Sequence, residues 1–172
     1  MSAIVDFYRG DQPDYQGRKL SDIWEWSNDR LESVHDFIQV LFPNQEPSRV
    51  NPEAPLLDQA AIDAFRRDEK LRQNLARSLD LMLRFYGLAY EPKTGQVVKA
   101  RDFAERAPNW LTPHNHNHLR ITRILKCLVA LGLPERARAF CACLEEIYAE
   151  RKDVIGQEAF AFWKAAVAPV PS

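Results

Sequence analysis

Glycine is scarce in this sequence, with six residues in 172. A loop that cradles phosphate with backbone N–H groups needs several glycines in a short span, so a glycine-built nucleotide site is not expected. The chain also has no nucleophile-elbow serine motif and no His-Glu-x-x-His zinc helix. Its three cysteines are an odd count, which argues against a disulfide framework. Cys141 and Cys143 are two apart on a helical pattern and point away from each other. Reduced thiols and a cytoplasmic setting are the expectation. No apolar run approaches the ~18 residues of a membrane span. The first nine residues lack the charged-then-apolar order of a signal peptide. An excess of one charge is missing too: 23 basic residues face 24 acidic ones, a net charge of −1. That balance supplies no general field for nucleic acid.

Hydrophobic residues make up 46% and charged residues 27%, an ordinary globular balance. A chain of this length buries roughly two-thirds of its unfolded surface, enough for a core without metal or disulfide. One domain over residues 1–172 is expected. Helical spacing dominates the pattern. Leu31, Val34, Ile38, Leu41 and Phe42 recur at one helix face until Pro43. Asp22 with Glu25 matches a capping box, and Ser27 or Asn28 suits a fresh N-cap. Residues 44–55 hold three prolines and read as a loop. A short helix is expected over 58–68. A longer one follows, with Leu71, Leu75, Leu79, Met82 and Tyr86 on its stripe and Gly87 beyond its end. Residues 91–95 read as a turn, and Val97 with Val98 as a brief extended piece. A short helix is placed near 101–106, then helices over 114–131, 134–151 and 155–167. Sustained period-2 alternation is absent. The first 17 residues, rich in aromatics, read as an extended arm. The fold class is therefore all-α, an irregular helical bundle with an extended N-terminal arm.

The segment 114–131 is the most informative. At about 100° per residue, Ile121, Ile124, Leu125, Leu128 and Leu131 share one apolar sector. Leu119 and Ala130 fall opposite, as on a helix sandwiched inside a domain. His116, Arg120 and Arg123 form a narrow polar row between these faces. Buried arginines need carboxylates, carbonyls or an anionic ligand. Asp80 and Glu32 are the candidate internal partners. The alternative is a pocket for a carboxylate or phosphate, with His116 beside the two guanidiniums. His35 and Gln39, one turn apart on the expected helix, are placed to face the same pocket. The alternation His114, His116, His118 suggests metal only on an extended strand, and the segment supplies no acidic ligand. No cofactor is expected.

These residues carry a family resemblance. Residues 117–126 resemble the most recognisable string of the opioid growth factor receptor conserved region. Leu31-Glu32, His35, Ile38-Gln39 and Leu41-Phe42-Pro43 resemble a second motif, residues 81–87 a third, and Phe7-Tyr8 its start. Order and spacing agree over almost the whole chain. Val40 replaces an expected tryptophan and His118 an expected asparagine. The matching positions include His35, Gln39, Tyr86, His116, Asn117, Arg120, Thr122 and Arg123. The resemblance implies a receptor-like, non-enzymatic binding domain for a short peptide, an enkephalin-type peptide in eukaryotic members. Those members are associated with the nucleus and its envelope, which implies at most peripheral membrane contact. A chain ending at Ser172 is the form expected of a stand-alone microbial member. Three functions stay open: binding of a small anion or short peptide, an enzyme using His35 or His116 beside an arginine clamp, and an interaction scaffold.

Overall fold

A computed structural model describes residues 2–169; the expected domain limits at 1 and 172 lie outside them. The helices are α1 (Ala3–Arg9), α2 (Leu20–Trp24), α3 (Asn28–Ser33), α4 (Ile38–Leu41), α5 (Gln59–Arg67), α6 (Glu69–Tyr86), α7 (Phe103–Arg106), α8 (Asn117–Ala130), α9 (Pro134–Glu150) and α10 (Gln157–Val167). One antiparallel hairpin, β1 (Leu88–Glu91) with β2 (Gln96–Lys99), joins α6 to α7, with Leu88 opposite Lys99. The chain is mostly helical. The hairpin exceeds the brief extended piece expected at Val97 and Val98.

Helix α6 is the central post. Its stripe Leu71, Leu75, Leu79, Met82 and Tyr86 is fully buried. The Asp68 carboxylate accepts from the Lys70 N–H at its start, and Gly87 ends it at φ 78°. Helices α1, α2, α5 and α7 and strand β1 pack around it, while α8, α9 and α10 pack against one another. All contribute to one hydrophobic core.

Three expectations change. The N-terminal arm is not extended: residues 3–9 form α1, which buries Ile4, Phe7 and Tyr8 and ends at Gly10 with φ 85°. Those three residues have i, i+3, i+4 spacing, the signature of one helix face. The Asp22–Glu25 capping box does not form, because α2 starts at Leu20 and Glu25 lies past its end. The helix expected through residues 31–42 is broken. Ser27 does cap α3, accepting from the Arg30 N–H, but Val34 is extended (φ −89°, ψ 126°) and α4 begins afresh at Ile38. A guanidinium from α8 accounts for this break, as described below.

No helix among the described residues is long and apolar enough to cross a membrane.

Candidate ligand cleft beside helix α8

The turn before α8 sets where the helix begins. His114 adopts φ 56°, a left-handed conformation, so the helix starts at Asn117 rather than at residue 114. The Asn115 side chain fastens the turn. Its amide donates to the Asn109 carbonyl (3.0 Å) and to Thr112 Oγ1 (2.9 Å), while its Oδ1 accepts from the Asn117 N–H (2.9 Å). His118 is buried and lies 2.8 Å through Nε2 from the Trp110 carbonyl. A carbonyl only accepts, so Nε2 carries the proton. Trp163 of α10 donates to the His118 carbonyl (3.1 Å) and meets its ring edge-on at 5.7 Å. Burial lowers the His118 pKa, against the opposing effect of the Trp110 hydrogen bond. His118 therefore joins three segments of the fold.

A cleft of about 460 Å³ opens between α8 and residues 35–50. His35 and Gln39 line one side, and His116, Arg120 and Arg123 the other. With Thr122, six of the eight positions singled out from the sequence thus meet at one cavity. The other two, Tyr86 and Asn117, are fully buried behind it. There the Tyr86 hydroxyl donates to Asn117 Oδ1 (3.5 Å), and Asn117 Nδ2 donates to Glu32 Oε2 (3.3 Å).

The two arginines differ. Arg120 is 6% exposed and bonds inward. Nη1 donates to the Leu31 carbonyl (2.9 Å), Nη2 to the Val34 carbonyl (3.0 Å), and the guanidinium lies 5.3 Å over the Phe37 ring. It thus satisfies the carbonyls left free where α3 stops, the role a C-cap normally fills. Burial lowers its pKa, opposed by Tyr86 and Glu32. Arg123 has one hydrogen bond, from Nη1 to the Phe42 carbonyl (3.2 Å), and no carboxylate within ion-pair distance among the described residues. Burial lowers its pKa as well, opposed by Cys127 and Glu46. An arginine stays charged through such shifts.

The expected acidic partners lie elsewhere. Asp80 forms no ion pair with either arginine; burial raises its pKa and Arg136 opposes this. Glu32 is 3.0 Å through Oε1 from His116 Nε2. Burial lowers the His116 pKa, opposed by Glu32 and aided by Arg120 and His35. At neutral pH the contact is accordingly a hydrogen bond from a neutral imidazole to a carboxylate. The His116 and His35 rings meet edge-on at 5.8 Å. Among the described residues, no three His, Cys, Asp or Glu side chains come together in a way that would hold a metal ion.

Sequence reasoning missed the three other charged wall residues: Arg49, Lys126 and Glu46. Lys126 follows Arg123 by three positions, and helical spacing alone was enough to find it. Arg49 lies in a segment whose prolines signal only a loop. Sequence reasoning also buried Leu119 on a second apolar face, but Leu119 is 74% exposed. The core takes one side of α8, and the other side faces the cleft and solvent.

These features define a class: a mostly helical domain with a cation-lined groove along one helix. Residues 5–169 match the model of a family described as the opioid growth factor receptor (OGFr) conserved region, and the chain belongs to that family. It is 43% identical to the mouse opioid growth factor receptor over 136 residues, 75% of this chain and 21% of that protein. Identity to the human receptor is 42% over 111 residues, 64% of this chain and 16% of that protein. Identity to mouse opioid growth factor receptor-like protein 1 is 37% over 109 residues, 63% and 23% of the two chains. The chain spans roughly a fifth of the length of these relatives. No solved structure matches it.

Proposed function

We propose that this chain is a non-enzymatic binding domain whose cleft holds the carboxylate or phosphate of a small molecule or short peptide. The observation that carries the reading is Arg123. Its guanidinium lines the cleft with a single internal hydrogen bond and no carboxylate partner among the described residues. A partly buried guanidinium retains donors that favour a planar anion. Arg49 and Lys126 add positive charge at the wall against the single carboxylate of Glu46. A cavity of about 460 Å³ falls in the range of ligand sites. The relatives' name makes an opioid peptide the first ligand to try. The three free cysteines, all buried, support a cytoplasmic setting as part of this proposal.

Calorimetry with an enkephalin, its C-terminally amidated form and inorganic phosphate tests it. The free-acid peptide or phosphate binds, and Arg123→Met weakens that binding at least about tenfold, the loss of one charge-assisted contact. Arg120→Met instead lowers stability by about 2–4 kcal/mol, because two buried carbonyls lose their donors. No heat and no thermal shift with any of the anions at millimolar concentration rejects the proposal.

A second reading rests on the His35–His116 contact at the cleft. Two imidazoles beside an arginine clamp suit acid–base work on a phosphorylated or carboxylated small molecule. It requires turnover of some such substrate that His116→Ala abolishes while phosphate still binds.

A further inference from the structure

A second cavity of about 510 Å³ lies on the other side of Leu119. The two clefts share the wall made by His116 and Leu119. Their chemistry is opposite. The first has Arg49, Arg120, Arg123 and Lys126 against one carboxylate. The second has Asp153 and Glu158 and contains no lysine or arginine. Two large apolar side chains are left exposed here: Leu119, at 74%, on the wall the clefts share, and Phe162 of α10, at 50%, on the second cleft. A free anion uses only the first cleft. It gives no use to an exposed leucine ridge, and the second cleft repels it.

We propose that the two clefts form one continuous site for a peptide chain that crosses α8 over Leu119. Its carboxylate enters beside Arg123, an apolar side chain rests on Leu119 and Phe162, and a cationic group lies toward Asp153 and Glu158. The proposal rests on the anion-binding reading of the first cleft and extends it to the ligand's class. Charge complementarity selects the occupant. A uniformly acidic segment is repelled at the second cleft, and a uniformly basic one at the first. The span sets a minimum length. A helix with its side chains is about 10–12 Å across. An extended chain advances about 3.3 Å per residue. The crossing therefore takes about four residues, with apolar contact in the middle.

Opposite charges at the two ends and an apolar middle give the test. The probes are acetyl-Lys-Gly-Phe-Gly-Glu-amide, the all-acidic acetyl-Glu-Gly-Phe-Gly-Glu-amide, and the first peptide with alanine in place of phenylalanine. All have blocked ends, so only side chains carry charge. Isothermal titration against the intact chain should rank the first peptide at least about tenfold tighter than the other two. Leu119→Ser should weaken it severalfold, and Phe162→Ser, at an exposed position outside the first cleft, should do the same and leave phosphate binding unchanged. The double variant Asp153→Lys, Glu158→Lys should remove or invert the preference for the mixed-charge peptide over the all-acidic one. Equal affinity for the mixed-charge and all-acidic peptides, with phosphate still bound at Arg123, overturns the inference and leaves the anion cleft standing. Failure of both phosphate and peptide to bind removes the anion cleft itself. Binding that survives Arg123→Met undiminished also contradicts the proposed placement.

Discussion

Arg120 and Arg123 sit one turn apart on the same helix, yet Arg120 makes three hydrogen bonds inward and Arg123 one. The helical wheel places both in one polar row with His116, and that row is present in the structure. It does not reveal which donors are already used. The carbonyls that occupy Arg120 belong to Leu31 and Val34, and the single bond of Arg123 goes to Phe42. No local pattern encodes partners at that separation. His118 shows the same limit: its alternation with His114 and His116 raises metal, whereas the folded chain places it under Trp163 and against the Trp110 carbonyl. This placement predicts a pH response. The folded-state pKa of His118 lies below the ordinary histidine value because burial penalises the charged ring. The unfolded chain therefore takes up this proton first as pH falls. The stability contribution is complete above about pH 6.5 and declines as pH drops through that value toward the lower folded pKa. His116 shifts in the same direction and adds to the slope. Melting temperatures measured from pH 7.5 to 5 should fall, and His118→Gln should flatten the curve. Gln keeps a donor for Trp110 without titrating. An equally steep curve in the variant assigns the effect to other groups.

Secondary elements were most legible where a long apolar stripe met clear punctuation. Helix α6 has five core residues on one stripe and Gly87 after it, and the sequence marks both; its Asp68 cap appears only in the structure. The segment 31–42 misled because its apolar spacing continues across a break. The donor that satisfies the Leu31 carbonyl at the end of α3 is an arginine 89 residues away, outside any local window. Helix α1 was hidden by brevity, since its seven residues hold only two turns. Gly87 offers the sharpest test at this scale. It sits at φ 78°, and a Cβ there would lie 2.8 Å from the Phe103 backbone and 2.9 Å from Arg106 Cβ. Gly10 has a similar φ of 85° with nothing within 4 Å. Gly10→Ala should thus cost about 1 kcal/mol, the conformational penalty alone. Gly87→Ala should cost about 2–4 kcal/mol, because α7 must also shift away from the end of α6. Urea unfolding of the two variants separates strain from steric conflict.

Across the whole molecule, α1, α2 and α4 are tied to the central post at one buried hydroxyl. Tyr8 donates its one hydroxyl proton to the Leu41 carbonyl, Ser78 Oγ on α6 donates to the Tyr8 hydroxyl oxygen (3.0 Å), and Ser78 Oγ accepts from Trp24 Nε1 (3.0 Å). Ser78→Ala leaves the Trp24 N–H without its acceptor and removes the α6 anchor of Tyr8. We expect a loss of about 1–3 kcal/mol, read as a lower urea midpoint with an unchanged slope. Both walls of the cleft depend on equally distant ties. The carbonyls of Leu31 and Phe42 wait for guanidiniums 89 and 81 residues further along the chain. Until α8 has been synthesised, these carbonyls lack the guanidinium donors they have in the folded chain. Ligand-binding competence should then arise late and in one step. A chain cut within residues 51–115 should keep it only while its two pieces stay associated.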